Sequence, residues 1–538
     1  MKSGRMVAVW ACALACCIAG CAGQGRRDVS VLLPENTPAV LKLDDLGRVY
    51  DAMVDSGFRD AVLREAGLTD VKHADEIRQW DRVCRSIKSL QLSFHGLHGP
   101  QGMPDVLLVA DVGRTVDVRT WLPASVGKLM ERSSRYAGTN VFQTKMPGGG
   151  GRLLMASTDG RLLAATDLVT LERTLDAMKG RTKRPLTGSS RYCRAMKNLA
   201  GRDASLYVSM PDLLRALEAK THGWDSLGLG IMIGVLGLRD IDTLSAGGDY
   251  EGHTAAARLV TNGRHALVRV FAEPPSVRKV PAHLSAQTLA CFTLGIHDGP
   301  GVWRRLFDFI ARQSMRMHEA DSIKEFEREF NEEAEKEIGF PIADAAAIIK
   351  GDIGFAIGKD VDEGDGLLFA SVTDQAKARQ LLGRIRNNRE FKDKKLKEHR
   401  CLDCTVHAIG EGMNAFVWTI VDGVVLMSPR VAQIESAIRT RRGKAAPLGA
   451  EPGFQKIQSL LPARNNLFVY WNLGRMLEIL DEDEAPPPLR KLMAGRSIGL
   501  ALTVDGDTVE ARLVQNKLLT LLQFWTLMKP MVTGTGFH

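Results

Sequence analysis

The stretch STDGRLLAATDLVTLERTLDAM, residues 157–178, decides the reading of this chain. Thr158-Asp159-Gly160 is a turn signal, because a short carboxylate bonds nearby backbone and glycine accepts positive φ. Leu162–Asp167 then reads as a strand and Leu168–Met178 as a helix. The stretch VDGVVLMSPRVAQIESAI, residues 421–438, repeats this plan. Val421-Asp422-Gly423 turns, Val424–Pro429 extends, and Val431–Ile438 continues as a helix.

Working outward, each helix runs into a basic linker with a Pro-Leu pair, Pro185-Leu186 and Pro447-Leu448. A short helix follows at Arg191–Leu199 and at Phe454–Leu461. Then come a strand and a helix, Ser205–Met210 with Leu213–Leu217 and Asn466–Trp471 with Met476–Leu480. Both series close on Ala-Arg-Leu-Val, at Ala257–Val260 and Ala511–Val514. Upstream, Val106–Ala110 matches Gly366–Ala370, and Leu33-Pro34 lines up with Val280-Pro281. An ordered series of matches of this kind, whose offset drifts only modestly along the chain, is the mark of duplication. The expected architecture is α+β: two tandem homologous domains, 29–275 and 276–516, each a large antiparallel sheet packed with helices.

Local patterns agree with that class. Gln91–Phe94 and Val106–Val112, separated by glycines and Pro100, predict a hairpin. Asn140–Lys145, Arg152–Ser157 and Leu162–Ala165 predict a three-stranded meander. Ile323, Phe326, Phe330, Ala334 and Ile338 recur at helical spacing, ended by Gly339 and Pro341. Helices that fall between blocks of strands belong to α+β folds rather than doubly wound sheets.

The amino terminus carries Lys2 and Arg5, then thirteen uncharged residues from Met6 to Ile18, a signal-peptide core too short to span a bilayer. Ile18-Ala19-Gly20-Cys21 follows and resembles the bacterial lipobox. The resemblance implies cleavage after residue 20 and acylation of Cys21, with palmitate among the chains. Residues 21–28 then form a polar tether. Ala22, rather than Asp, directs such proteins to the outer membrane under the enteric sorting rule. Residues 517–538 are expected to form an apolar terminal helix or tail, docked on the core. The lipobox, the paired halves and phrases such as LLPENTPAVLKL (32–43) and ASLYVSMPDLLRAL (204–217) resemble duplicated bacterial envelope proteins of domain-of-unknown-function families. That resemblance implies an exported, membrane-anchored, periplasm-facing protein, and it brings no functional residues with it.

Composition is that of folded protein: of 538 residues, 45% are apolar and 25% charged, which excludes a mainly disordered chain. A net charge of +8 permits anionic partners without requiring them. Beyond the signal region with Cys12, Cys16, Cys17 and Cys21, five of the nine cysteines remain, Cys84, Cys193, Cys291, Cys401 and Cys404, an odd number that argues against a disulfide framework. Cys401-Leu402-Asp403-Cys404, flanked by His399 and His407, has redox or zinc spacing, yet the segment reads as strand, so ordinary strand cysteines are expected. The acidic run Asp360–Asp365 lacks the EF-hand spacing and reads as a hairpin turn. Gly148–Gly151 has no phosphate-loop Lys, and Gly228, Gly230 and Gly234 miss the dinucleotide spacing. His95 and His98 share a glycine-rich turn with no acidic neighbour. No cofactor or metal is implied.

Lys377 to Arg400 differs in kind. Lys377, Arg379, Arg384, Arg386, Arg389, Lys392, Lys394, Lys395, Lys397 and Arg400 face only Glu390, Asp393 and Glu398, a net +7. Such a block meets anionic lipid, a glycan or another envelope protein. Phe391 is its one aromatic, so nucleic acid is not expected. The reading is an exported, lipid-anchored envelope protein that binds or scaffolds. The alternative is an envelope hydrolase or other enzyme with a dispersed site.

Overall fold

The computed structural model describes residues 29–516, apart from 56–73, 99–102, 123–126, 146–150, 182–183, 198, 200–201, 219–237, 249–253, 264, 266–267, 269–273, 278–281, 310–319, 359–365, 386–390, 392, 413–414 and 479–492. The signal segment, Cys21, the tether, residues 517–538, the acidic run and the three glycines at 228–234 therefore lie outside the described residues. The described residues divide between Asn262 and Gly263 into two compact units. This falls ahead of the 275/276 boundary expected from the repeat.

In the first unit, β1 (Ala39–Asp44) is followed by α1 (Leu46–Asp55) and α2 (Ala74–Ser86). The hairpin β2 (Ser89–His98) and β3 (Met103–Asp111) and the short α3 (Val118–Trp121) come next. A meander of four strands, β4 (Glu131–Tyr136), β5 (Thr139–Lys145), β6 (Arg152–Thr158) and β7 (Arg161–Ala165), leads into α4 (Leu168–Met178) and α5 (Ser190–Met196). Then follow β8 (Ala204–Ser209), α6 (Met210–Glu218), β9 (Ile241–Gly248) and β10 (Thr254–Thr261). The strands lie in the order β10-β9-β8-β1-β2-β3-β7-β6-β5-β4, every neighbour antiparallel.

The second unit opens with β11 (Ser276–Val277), β12 (Ala290–Ile296) and the helices α7 (Gly299–Phe309), α8 (Ala320–Ile338) and α9 (Ile342–Ala346). It continues through β13 (Ile349–Ile357), β14 (Gly366–Val372), α10 (Gln375–Arg384), β15 (Leu396–Cys401), β16 (Cys404–Ile409), β17 (Phe416–Val421) and β18 (Val424–Ser428). It closes with α11 (Val431–Arg441), α12 (Pro452–Leu460), β19 (Arg464–Asn465), β20 (Leu467–Asn472), α13 (Leu473–Glu478), β21 (Ser497–Asp505) and β22 (Thr508–Gln515). Its order is β22-β21-β20-β12-β13-β14-β18-β17-β16-β15, again antiparallel throughout, with β11 and β19 paired apart. The strand orders of the two units correspond place for place.

Local chemistry explains the elements. Asp159-Gly160 and Asp422-Gly423 have φ of 48°, 76°, 51° and 78°, the two left-handed residues that a tight hairpin turn requires. Asp167 caps α4 through the Thr170 N–H at 2.9 Å, and Asp374 caps α10 through the Lys377 N–H at 2.9 Å. Each sheet carries helices on both faces. In the first unit Leu171, Leu175 and Tyr192 of α4 and α5 pack on Val109, Leu163 and Tyr207. On the other face Leu46, Val83 and Val118 meet Leu43, Leu90 and Phe142. In the second unit Ile434, Ile438 and Phe454 pack on Phe369, Leu426 and Tyr470, while α10 sets Ala378, Leu381 and Leu382 on Trp418 and Val425.

Three expectations are corrected. The meander has a fourth strand, β4, whose sequence ERSSRY lacks the apolar signal because the strand is almost wholly solvent-exposed. Leu33 corresponds to Leu284 rather than Val280: their carbonyls accept from the Leu186 and Leu448 N–H at 2.8 and 2.7 Å, and Pro34 and Ser285 bridge Pro185 and Pro447. The closing Ala-Arg-Leu-Val segments lie in β10 and β22 but two residues out of step. Arg258 pairs with Ser245 beside Tyr207, whereas Val514, not Arg512, pairs with Gly499 beside Tyr470.

Candidate functional site

The basic segment does not form one face. Burial of Ala378, Leu381 and Leu382 turns Lys377, Arg379 and Arg384 toward water on α10. Lys377 lies 3.7 Å from Asp344, and Arg379 donates to Gln375 at 3.4 Å. Arg386, Arg389 and Lys392 lie outside the described residues. The Lys394 ammonium sits 5.1 Å over the Phe391 ring. Lys397 and Arg400 stand on β15, the last strand of the sheet order, exposed except at Cys401. Lys397 pairs with Glu411 at 2.9 Å. Charges along such an edge also block the addition of a foreign strand.

Cys401 and Cys404 face each other across the hairpin of β15 and β16, closing a turn with Leu402 at φ 54°. Both thiols are free. Cys401 is buried, and burial raises the Cys404 thiol, the reverse of redox activation. Opposed residues share a sheet face, so His399 lies with the cysteines. His407, opposite Glu398, lies on the other face, stacked on Trp418 at 5.4 Å. The four groups therefore do not converge on a metal. Arg442 bonds Asp403 at 2.7 Å and Asp422 at 3.1 Å, and holds the Asp403 carboxyl down to about 2.

His95 lies on β2 with a ring nitrogen 2.9 Å from the Ser93 hydroxyl, and burial lowers it to about 4. His98 ends the same strand.

A polar cluster in the first unit was not visible in the sequence, because its members come from four separate elements. Arg191 of α5 reaches Asp242 of β9 at 2.8 Å and Asp212 of α6 at 3.3 Å. Arg194 bonds Asp242 at 3.0 Å, Arg215 bonds Asp212 at 2.9 Å, and the Ser209 hydroxyl also donates to Asp212. Arg191, Arg194, Asp212 and Asp242 line an open groove of about 950 Å³ with Glu35 and Arg184. Both carboxylates are occupied by guanidinium groups, so neither is presented as a general acid or base. The second unit has Gly453, Arg475 and Arg496 at the corresponding places, and the cluster is not repeated there.

A family model described as protein of unknown function (DUF3352) matches residues 347–526, which takes in most of the second sheet. No curated protein matches the chain. Among solved structures, crystal forms I and III of TP0453 show 8% and 7% identity, covering 44% of this chain and 79% and 81% of theirs. Their TM-score of 0.25 carries no argument about fold or function. Among the described residues no helix is long and apolar enough to cross a membrane.

Proposed function

We propose that the chain is an envelope protein anchored through acylated Cys21, built from two copies of one α+β domain, which binds or scaffolds without catalysing a reaction. The corresponding strand orders support the duplication. The carrying observation for binding is the basic segment of the second unit, in which Arg379, Lys394, Lys395, Lys397 and Arg400 are exposed and Lys377 and Arg384 half-buried. The carboxylates that the fold does gather are held by arginines. In this reading Lys377–Arg400 meets anionic headgroups, adding to the anchor, and the bacterial membrane on which it acts is the outer one.

The test uses the unlipidated chain and vesicles of phosphatidylglycerol with phosphatidylcholine. Binding should weaken steeply between roughly 0.05 and 0.5 M salt, because the Debye length shrinks about threefold. Replacing Lys377, Arg379, Lys394 and Lys397 together by Gln should remove most of it. Binding that ignores salt, or that survives the four substitutions, rejects the anionic-surface role.

A further inference from the structure

Cys401 and Cys404 close the hairpin of β15 and β16 as directly opposed residues, with only Leu402 and Asp403 between them. Opposed residues of antiparallel strands stand about 4.5–5.5 Å apart at Cα, inside the span of roughly 4.4–6.8 Å that a disulfide requires. Both side chains lie on the face that α11 and α12 cover: Cys401 belongs to that core cluster, and Cys404 packs against it. The fold also holds the end of the hairpin in place. Arg442, which follows α11, bonds Asp403 at 2.7 Å. The first unit treats its corresponding hairpin alike, with Tyr136 and Thr139 as the opposed pair. There Lys179, which follows α4, donates to the Ala137 carbonyl, and the Tyr136 hydroxyl donates to Asp176 at 2.8 Å. The remaining cysteine of the second unit, Cys291, stands on β12, five strand spacings from β16, or about 24 Å.

We infer that Cys401 and Cys404 form an intrachain disulfide when the chain meets a disulfide oxidant, a covalent lock on the hairpin at the edge of the second sheet. Cys404 is half-buried and is the entry thiol, since Cys401 is only 5% exposed. The Cys404 thiolate attacks the oxidant, forming a mixed disulfide and releasing a first thiol. The Cys401 thiolate then attacks Sγ of Cys404 and releases a second. One S–S bond forms in the chain, two S–H bonds are lost, and two electrons and two protons pass to the oxidant, which leaves as two thiols. Closure draws the two Cβ atoms together by roughly 1 Å. The bond pins the register of β15, whose other five residues are exposed, where a slip of one residue would send every side chain to the opposite face. Its formation in the cell rests on the export proposed above, because disulfides persist in oxidising compartments.

Trypsin cuts after Arg400 and Arg430 and nowhere between, so both cysteines fall on one peptide, 401–430. The full chain is equilibrated under native conditions with oxidised and reduced glutathione, quenched with acid, alkylated in guanidinium and digested. The expected 401–430 peptide carries neither alkyl group nor glutathione and is two hydrogens lighter than the dithiol. Equilibration in guanidinium should lower the ratio of disulfide to dithiol by roughly tenfold or more, since the unfolded chain no longer holds the pair in register. In Cys401→Ser the Cys404 thiol should gather glutathione, and in Cys404→Ser the buried Cys401 should not. Both thiols alkylated in the native chain, a bridge from either to another cysteine, or equal ratios in the folded and unfolded chain overturn the inference. Glutathione on Cys401 in Cys404→Ser overturns the entry order. Alkylation of acid-quenched cells tests export separately: a pair oxidised by glutathione yet reduced in cells rejects the envelope location and leaves the disulfide assignment standing.

Discussion

At the residue scale, buried polar groups hold the two units in corresponding ways. Tyr207 and Tyr470 sit at matching places on β8 and β20, each meeting an aromatic ring edge-on, Tyr192 at 4.9 Å and Phe454 at 5.1 Å. The Tyr470 hydroxyl bonds Glu451 at 3.0 Å, and Glu451 in turn accepts from the Phe454 N–H to cap α12. Burial pushes Tyr207 up to about 12, so both phenols are structural. His283 carries a pH dependence. It is buried, and burial, reinforced by Arg441, lowers it to about 4 from an ordinary 6.5. The unfolded chain therefore takes up a proton near pH 6.5 while the folded chain does not until about 4. Its stabilising contribution is complete above pH 6.5 and is lost as pH falls through the interval to 4, on the order of 3 kcal/mol. Urea midpoints across that interval should fall, and His283→Gln should flatten the fall, leaving the share of His95, which has the same shift. An unchanged slope in the variant would show that His283 is not neutral in the folded state. The shift was not legible in the sequence, where His283 is an isolated residue without a patterned neighbour.

At the element scale, the hairpins were legible and the edges were not. Asp-Gly pairs at 159 and 422 announce their turns because two left-handed residues favour those side chains. The five polar residues that open ERSSRY of β4 carry no such signal, and only pairing with β5 makes that segment a strand. Helix contact is set at single glycines. A Cβ on Gly499 would lie 2.2 Å from Cγ2 of Ile457 and 3.1 Å from Leu461, so α12 needs glycine there to pack on β21. Ser245 stands at the corresponding place in the first unit, its hydroxyl bonding the Ala195 carbonyl at 2.7 Å. Gly499→Ala should therefore destabilise by about 1–3 kcal/mol through overpacking. Gly383→Ala, on α10 with nothing within 4 Å, should stabilise by up to about 1 kcal/mol. Denaturant unfolding of the two variants checks both signs, and a neutral Gly499→Ala would refute the close contact.

At the scale of the whole molecule, anchor and fold are separate determinants. Cys21→Ala should abolish incorporation of labelled palmitate and leave a soluble or unprocessed chain, with the unfolding midpoint of the folded part unchanged. Continued labelling of that variant would reject the lipoprotein assignment. The α+β class, the hairpin of β2 and β3, the helix through Ile323 and Ile338 and the order of elements followed from the sequence, because turn chemistry and side-chain period act over a few residues. Tertiary structure alone decided the rest. It put β1 between β2 and β8, set the last strands two residues out of step, and brought Arg191 to Asp242 across 51 positions. It also sorted apolar strand residues into two fates, burying Phe369 against α11 and α12 while leaving Phe355 and Leu368 open. Alternation along a strand assigns side chains to two faces, but only the packing of distant elements determines which face is covered.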